Sequence, residues 1–172
     1  LMLKTFLGPA EEKANEVYFR PEIAQAMFVD FKNVLEASRK KLPFGIASQG
    51  SAFRNEITPG NFIFRTREFD LMEFEYFVKE SEWKEHFDHW RKAMWNWIVD
   101  DLGINKSHVY ELDVPDRDRA HYSKKTIDFE YDFPFGKKEL YGLAYRTDFD
   151  LKNHYQEPPY QDTETGEKLY PH

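Results

Sequence analysis

The 172-residue chain carries a net charge of -7 and contains no cysteine, with 41% hydrophobic and 32% charged residues. This composition is typical of a folded globular protein. The acidic balance argues against a generally basic surface for coating nucleic acid, although a local basic patch remains compatible with it. Without cysteine there are no disulfides and no thiolate zinc sites, which fits the cytoplasm. No apolar run approaches the roughly 20 residues of a membrane-spanning helix, so no membrane association is expected.

The first helix is expected to begin at Pro21, because proline suits the first helical turn, where its missing N–H is no loss. Glu22 follows at the positive end of the helix dipole. Apolar residues then recur at helical spacing, and basic residues crowd the last turn before Pro43 and Gly45 end the helix. The apolar residues are Ile23, Met27, Phe31, Val34 and Leu35, and the basic ones are Arg39, Lys40 and Lys41.

A hairpin is predicted next, with one strand over 46–57, a turn at 58–61 and a return strand over 62–78. The turn is placed by Pro59 followed by Gly60. Alternation with a period of two gives the return strand an apolar face and a polar face. The apolar face holds Met72, Phe74, Tyr76 and Val78, and the polar face holds Arg65, Arg67, Phe69, Leu71, Glu73 and Glu75.

A second helix is predicted over 82–102, with Ser81 as its N-cap and Gly103 as its C-terminal stop. Its apolar stripe, which we interpret as core packing, consists of Trp83, Phe87, Trp90, Met94, Trp97 and Ile98. Strands are expected at 109–114, 126–133 and 140–146, with a turn at 134–136, and a polar, turn-rich segment at 158–166. The order of elements predicts an α+β fold in which helices flank an antiparallel sheet.

The hairpin also carries the residue types of a ligand site. The guanidinium of Arg54 can bind two phosphate oxygens at once, and Glu56 two positions on points to the same side. Phe69 can stack under a purine. Glu73 and Glu75 on one strand face repel each other unless a cation lies near them. Together they indicate a site for a nucleotide and a small amine, although each residue alone also fits a structural role.

The joint pattern resembles the catalytic core of a class II aminoacyl-tRNA synthetase, and within that class the dimeric type of glycyl-tRNA synthetase. Residues 53–69 resemble the second signature motif of the class, so the motif 2 hairpin spans about 46–78. Residues 20–25 read Arg-Pro-Glu-Ile-Ala-Gln, close to the family's Arg-Pro-Glu-Thr-Ala-Gln. Further stretches at 119–126, 132–140 and 146–154 follow in the family's order. Ile23 in place of threonine and Ala26 in place of glycine are departures.

The resemblance implies site residues. Arg54, Glu56 and Arg65 would serve catalysis, with Arg54 on the α-phosphate of ATP and Glu56 at the adenine end. Glycine would be bound by a set in which the carboxylates of Glu22 and Glu73 hold its ammonium group. The implied ATP-binding residues are Arg54, Asn55, Glu56, Phe64, Arg65, Thr66, Arg67, Glu68, Phe69, Glu139 and Leu140, and the implied glycine-binding residues are Glu22, Phe69, Asp70, Leu71, Met72 and Glu73. Glu139 would also help to hold Mg²⁺ through ATP.

The implied reaction joins glycine to ATP as glycyl-adenylate and then transfers glycine to tRNA(Gly), with ATP and Mg²⁺ as cofactors and a cytoplasmic homodimer as the complete protein. Residues 1–172 are expected to be a partial catalytic domain that lacks motif 1, motif 3 and the anticodon-binding domain. The isolated piece is therefore expected to be inactive. Two alternatives remain: a non-catalytic, synthetase-like polymerase accessory protein that binds nucleic acid, and a synthetase for threonine or serine.

Overall fold

The computed structural model describes residues 2–172, which form two compact units. The first contains the chain up to Ser38 together with Gly45–Tyr76, and the second contains Arg39–Phe44 together with Phe77–His172. Both combine helices with antiparallel strands. The predicted α+β class is therefore confirmed. Among these residues no helix is both long and apolar enough to cross a bilayer.

The first unit opens with a small antiparallel pair, β1 (Lys4–Phe6) and β2 (Glu16–Tyr18). Two short helices follow, α1 (Ala24–Val29) and α2 (Phe31–Ser38). Their buried side chains form the apolar interior of this part of the chain and include Ile23, Ala24, Met27, Phe28 and Phe31.

The single helix expected from Pro21 to Pro43 is wrong at both ends and in the middle. The helix begins at Ala24, because the side chain of Glu22 accepts the backbone N–H of Gln25 at 2.9 Å and so satisfies one of the donors that a helix start leaves open. It is interrupted at Asp30, which lies outside the helical region of backbone space. It ends at Ser38, followed by Arg39 with a φ of 53°, a left-handed residue of the kind that commonly stops a helix.

The predicted hairpin is present as β3 (Phe44–Phe53) and β4 (Glu68–Phe77), but its turn lies further along the chain than expected. The chain reverses at 61–64, where the N–H of Phe64 donates to the carbonyl of Asn61 at 3.0 Å. Gly60 does not turn, because it pairs with Arg65 through two backbone hydrogen bonds. Asn61 instead supplies one of two consecutive left-handed residues, a conformation that asparagine tolerates.

Three contacts define how β3 and β4 face each other. The N–H of Arg54 donates to the carbonyl of Arg67 at 2.9 Å, and the hydroxyl of Ser51 donates to Asp70 at 2.8 Å. Gly45, at the other end of β3, lies against Tyr76. The strands are thus antiparallel, with Ser51 and Asp70 on one face. Alternation places Gly50 and Ala52 of β3, and Phe69, Leu71 and Glu73 of β4, on the other face.

The apolar face of β4 is the more exposed one. Met72 is 74% exposed and Phe74 is 40% exposed, while Phe69, Leu71 and Glu73 are half-buried. The period-two grouping of these residues is correct. The sequence did not say which of the two faces is covered. Alternation assigns residues to faces, and only the packing of other segments decides which face is covered.

The second unit is built on a three-stranded antiparallel sheet, in the order β5 (Val109–Asp113), β6 (Lys125–Phe133) and β7 (Gly136–Tyr145). These strands match the predicted ones to within a few residues. Phe133 pairs with Gly136 across a two-residue turn. The register shifts between Phe129 and Glu130, where Phe129 faces Tyr141 and Glu130 faces Glu139. Leu140 is therefore the extra residue of a β-bulge.

The long helix α3 (Trp83–Asn96) covers this sheet and continues as a π-helical turn over Trp97–Asp101. The shared core contains Phe87, Ile127, Phe129 and Tyr145. The predicted Ser81 N-cap is wrong, since Glu82 precedes the helix and no side chain caps it. Gly103, with a φ of 66°, follows the helix as expected. Trp97 leaves the predicted stripe and is 45% exposed, because the wider π-helical turn changes the rotation of the last residues.

Two elements of the second unit have no counterpart among the predicted ones. Helix α4 spans Phe149–His154, and a short hairpin joins β8 (Tyr160–Gln161) to β9 (Lys168–Leu169). Arg146 fixes the start of α4 through two bonds to the carboxylate of Asp150, at 2.8 and 2.9 Å. The segment expected only to be turn-rich thus contains a strand and the turn of this hairpin.

Candidate functional site

The half-buried face of the β3–β4 hairpin brings together the residues expected to bind a nucleotide. The guanidinium carbon of Arg54 lies 5.2 Å from the ring centre of Phe69, within the range of a cation–π contact. The Nε of Arg54 donates to the carbonyl of Pro21 at 3.2 Å. Arg54 is exposed, and Phe69 is half-buried beneath it. A planar ligand and an anionic group can therefore be met by neighbouring side chains here.

The turn end of the hairpin contains a second charged group, which is centred on Glu56. Glu56 does not pair with Arg54; its Oε2 accepts from Nη1 of Arg65 at 3.1 Å. The Nε of Arg67 donates to the backbone carbonyl of Glu56 at 3.1 Å. Both arginines therefore contact Glu56, Arg65 at its side chain and Arg67 at its backbone carbonyl. Glu56 thereby keeps Arg65 near the turn, where its remaining N–H groups can meet an anion.

The other nucleotide residues of the hairpin have simpler surroundings. Thr66 donates its hydroxyl to the carbonyl of Glu68 at 2.7 Å, which stabilises the entry to β4. Asn55 and Glu68 are exposed, and Phe64 is half-buried beside the turn.

The residues expected to bind glycine are divided between two faces. The side chains of Phe69, Leu71 and Glu73 share the half-buried face, and Oε2 of Glu73 is buried. Those of Asp70 and Met72 point to the opposite face, where Asp70 accepts the hydroxyl of Ser51. The structure therefore does not bring Asp70 and Met72 to the same side chain cluster as Glu73.

The residues just before Glu22 are hydrogen-bonded to the end of β3, which brings Glu22 near the hairpin. The N–H of Phe53 donates to the carbonyl of Arg20 at 2.8 Å, and the bond from Arg54 to Pro21 lies one residue further on. The rings of Phe19 and Phe53 are 4.7 Å apart. These contacts attach the residues before Glu22 to the end of β3, so a residue distant in sequence is tied to the hairpin.

Arg20 is a residue that the sequence analysis did not assign to the site. Its Nε donates to the carbonyl of Ser51 at 2.8 Å. Its Nη2 would lie 2.6 Å from a Cβ on Gly50, closer than real contacts allow. The guanidinium therefore covers Gly50 on the half-buried face. The only signal in the sequence was that Arg20 lies two residues before Glu22. A contact between residues 20 and 51 produces no pattern among neighbouring residues.

Glu139 and Leu140 belong to β7 of the second unit, at the bulge. A Cβ on Gly142 would lie 3.3 Å from both Oε1 of Glu139 and Oδ1 of Asp128, so the two carboxylates converge over Gly142. Burial, and then the nearby charge of Glu130, raise the pKa of Asp128. Asp128 was not foreseen, because it lies in the neighbouring strand. Within residues 2–172, no group of three or more His, Cys, Asp or Glu residues is arranged to hold a metal ion.

Comparison with known families agrees with this arrangement. Residues 6–163 match the tRNA synthetase class II core domain family, described for the synthetases G, H, P, S and T. The chain belongs to this family, as its ordered motifs indicated. The exposed arginine above an aromatic ring on an antiparallel hairpin is thus found in a class II synthetase core.

Among individual proteins, the chain is similar to synthetases for one amino acid, glycine. The glycine–tRNA ligases of Geobacillus thermodenitrificans and Staphylococcus haemolyticus are each 51% identical to this chain over 176 aligned residues, covering 100% of it and 38% of the relative. The glycine–tRNA ligase of Ureaplasma urealyticum is also 51% identical, and 37% of its length is covered. The chain is therefore similar to glycine–tRNA ligases and spans a little over a third of their length. The predicted resemblance to the glycyl type is confirmed.

Proposed function

We propose that this chain is part of a glycine–tRNA ligase that activates glycine with ATP and transfers it to tRNA(Gly). The observation that carries the proposal is the 51% identity to proteins named glycine–tRNA ligase over the whole of the chain. The hairpin supports it, because a class II core is expected to place arginine and an aromatic ring where Arg54 and Phe69 are found. The protein would act in the cytoplasm, as a homodimer when complete.

In the proposed reaction, the glycine carboxylate attacks the α-phosphorus of ATP and pyrophosphate leaves. Arg54 would bind the α-phosphate, Phe69 would stack on adenine, and Arg65, oriented by Glu56, would meet the outer phosphates. Glu22 and Glu73 would bind the ammonium group. Such a step requires positioning and neutralisation of charge and no protein nucleophile. The acids also leave little room beside the α-carbon, which would favour the smallest amino acid.

Carboxylates of β6 and β7 would help to hold Mg²⁺. This ion is commonly held by one or two carboxylates together with substrate phosphates and water. Glu139, with Asp128 converging on the same glycine, would supply such carboxylates. When bound with ATP, the ion would neutralise phosphate charge.

The test is amino-acid-dependent exchange of pyrophosphate into ATP by the full-length protein that contains this chain. Glycine should stimulate exchange, while alanine, serine and threonine should not. Exchange stimulated best by serine or threonine would reject the glycine assignment. Exchange with no amino acid, together with binding of nucleic acid, would instead favour a non-catalytic relative.

The chain by itself is expected to show little or no glycine-dependent exchange. We propose that it lacks motif 1, motif 3 and the anticodon-binding domain, so the ATP site would be incomplete. The same assay on residues 1–172, with the full-length protein as control, checks this. A normal exchange rate from the 172-residue chain would contradict it.

A further inference from the structure

We propose that the turn end of β6 and β7, in the second unit, is a contact surface for RNA. The residues of this turn surface are Lys106, Phe133, Phe135, Lys137 and Lys138. The inference rests on the proposed function, in which the RNA is tRNA(Gly), and it adds a tRNA contact outside the β3–β4 hairpin. It depends on three features of the turn surface, which are its register, its charge and its aromatic rings.

The register of the sheet brings the three lysines to one end of it. Lys138 pairs with Tyr131 on one side of β6, and Val109 pairs with the same tyrosine on the other side. Lys106 belongs to the short 3-10 helix that leads directly into Val109. Lys137 lies next to Lys138 at the start of β7, and all three lysines are exposed. The lysines therefore flank the last residues of β6.

The positive charge of these lysines is not neutralised by an ion pair. Other lysines, such as Lys79 and Lys125, are paired with aspartates. Among residues 2–172, no carboxylate forms an ion pair with any of the three lysines of the turn surface. The register partners Glu130 and Glu139 lie further from the turn. Three such cations at one end of a sheet, in a chain with a net charge of -7, favour a negatively charged partner.

Lys137 is also held in position by the neighbouring strand. Its Nζ lies 3.5 Å from the ring centre of Tyr110, which is a cation–π contact. The register partner of Lys137 is Asp132, whose carboxylate accepts the hydroxyl of Tyr110 at 2.8 Å and lies 3.6 Å from Nδ1 of His108. This acid is therefore already bound by other groups. Because an ammonium group has three N–H donors, Lys137 can keep its contact with the ring and still donate to a phosphate.

Aromatic rings beside the lysines favour RNA over an acidic protein as the partner. The rings of Phe133 and Phe135 are stacked, with centres 5.1 Å apart and planes 7° from parallel. The ring of Tyr131 meets that of Phe133 edge-on, also at 5.1 Å. Phe135 lies at the turn and is 37% exposed. Unpaired bases stack on such rings while neighbouring cations bind the phosphates, whereas an acidic peptide needs only the cations.

The experiment measures binding of tRNA(Gly) and pyrophosphate exchange by the full-length protein that contains this chain. It compares the wild type with Lys137→Gln/Lys138→Gln, with Phe135→Ala and with a matched control, Lys13→Gln/Lys168→Gln. The control removes the same charge from two exposed lysines that also lack an ion pair among residues 2–172. Because exchange requires no tRNA, it reports on the glycine and ATP sites alone.

Loss of two phosphate contacts should weaken tRNA binding and make it less dependent on salt. In the double lysine variant, the slope of log Kd against log salt concentration should become smaller by about 1.5, since each phosphate contact contributes about 0.7 to 0.9. Phe135→Ala should raise Kd roughly 5- to 100-fold with an unchanged slope, because stacking releases no counterions. The Kd of the control, and KM for glycine and ATP in every variant, should match the wild type.

Several outcomes would overturn the inference. Unchanged tRNA binding in the double lysine variant rejects it, and an equal loss in the control would show an effect of net charge alone. Displacement of tRNA from the wild type by poly-glutamate as readily as by unlabelled tRNA would indicate an acidic protein as the partner. If Phe135→Ala fails to fold, the salt slope of the double lysine variant decides. A wild type that binds tRNA without glycine-dependent exchange rejects the proposed function, while the same binding measurements still decide the turn surface.

Discussion

Replacing Asp150 by asparagine should destabilise the second unit strongly. Asp150 is 4% exposed and receives Nε and Nη2 of Arg146 at 2.8 and 2.9 Å. The guanidinium carbon of Arg146 also lies 3.7 Å from the ring centre of Tyr122. Asp150→Asn keeps the shape of the side chain but removes its charge, and its amide group turns an acceptor into a donor that faces other donors.

The magnitude follows from burial. Removing one partner of a buried ion pair costs about 3–5 kcal/mol, because the other charge stays in a poorly solvated place. The Arg146 side chain is 16% exposed and keeps its contact with Tyr122, so its charge stays partly solvated after the substitution. We therefore expect a loss of about 3 kcal/mol in the free energy of unfolding, at the lower end of that range.

Urea unfolding followed by tryptophan fluorescence measures this loss. The four tryptophans, Trp83, Trp90, Trp95 and Trp97, all belong to the second unit, so the signal reports on that unit. Asp118→Asn is the matched control, because Asp118 pairs with Arg117 on the surface, where both side chains are more than half exposed. Such pairs contribute less than about 1 kcal/mol. A loss below 1 kcal/mol in Asp150→Asn, or an equal loss in both variants, would refute the reasoning.

Two further predictions concern the core and the response to acid. Phe129 is fully buried against Tyr141, so Phe129→Ala should lower the free energy of unfolding by about 3–5 kcal/mol in the same urea experiment, and a loss under 1 kcal/mol would contradict its place in the core. The ion pair with Lys79, and then two backbone N–H groups, hold the pKa of Asp162 well below its ordinary value. Its contribution to stability should therefore be complete above its ordinary pKa of about 4 and fade as the pH falls further. Unfolding midpoints from pH 2 to 6 should show wild type and Asp162→Asn converging at low pH, and parallel curves would exclude this linkage.

Local sequence patterns were sufficient to predict most of the helices and strands of the second unit. The apolar stripe of α3 repeats at helical spacing, and Gly103 follows its end as a left-handed stop. The hairpin of β6 and β7 was signalled by Pro134 and Gly136 between two runs of strand-forming residues. These features depend on interactions within a few residues, which is why they are visible in sequence.

The first unit was harder to predict. Pro59 and Gly60 carry the strongest turn signal, yet Gly60 is held in a backbone pair with Arg65 and the turn moves to Asn61. Likewise Pro21 is suited to a helix start, but the segment before Glu22 is bonded to β3 and the helix does not begin until Ala24. In both places a contact between distant residues overrides a local preference.

Motifs and periodicity are properties of neighbouring residues, and they were enough to indicate the family, the residue types of the site and the distribution of these residues over alternate faces of β4. Tertiary structure decided which face is covered, that Glu56 binds Arg65, and that Arg20 lies over Gly50. An arginine side chain is several ångströms long and flexible, so it can bind any acceptor that the folded chain places within that distance. Its partner is therefore set by packing and not by spacing along the chain.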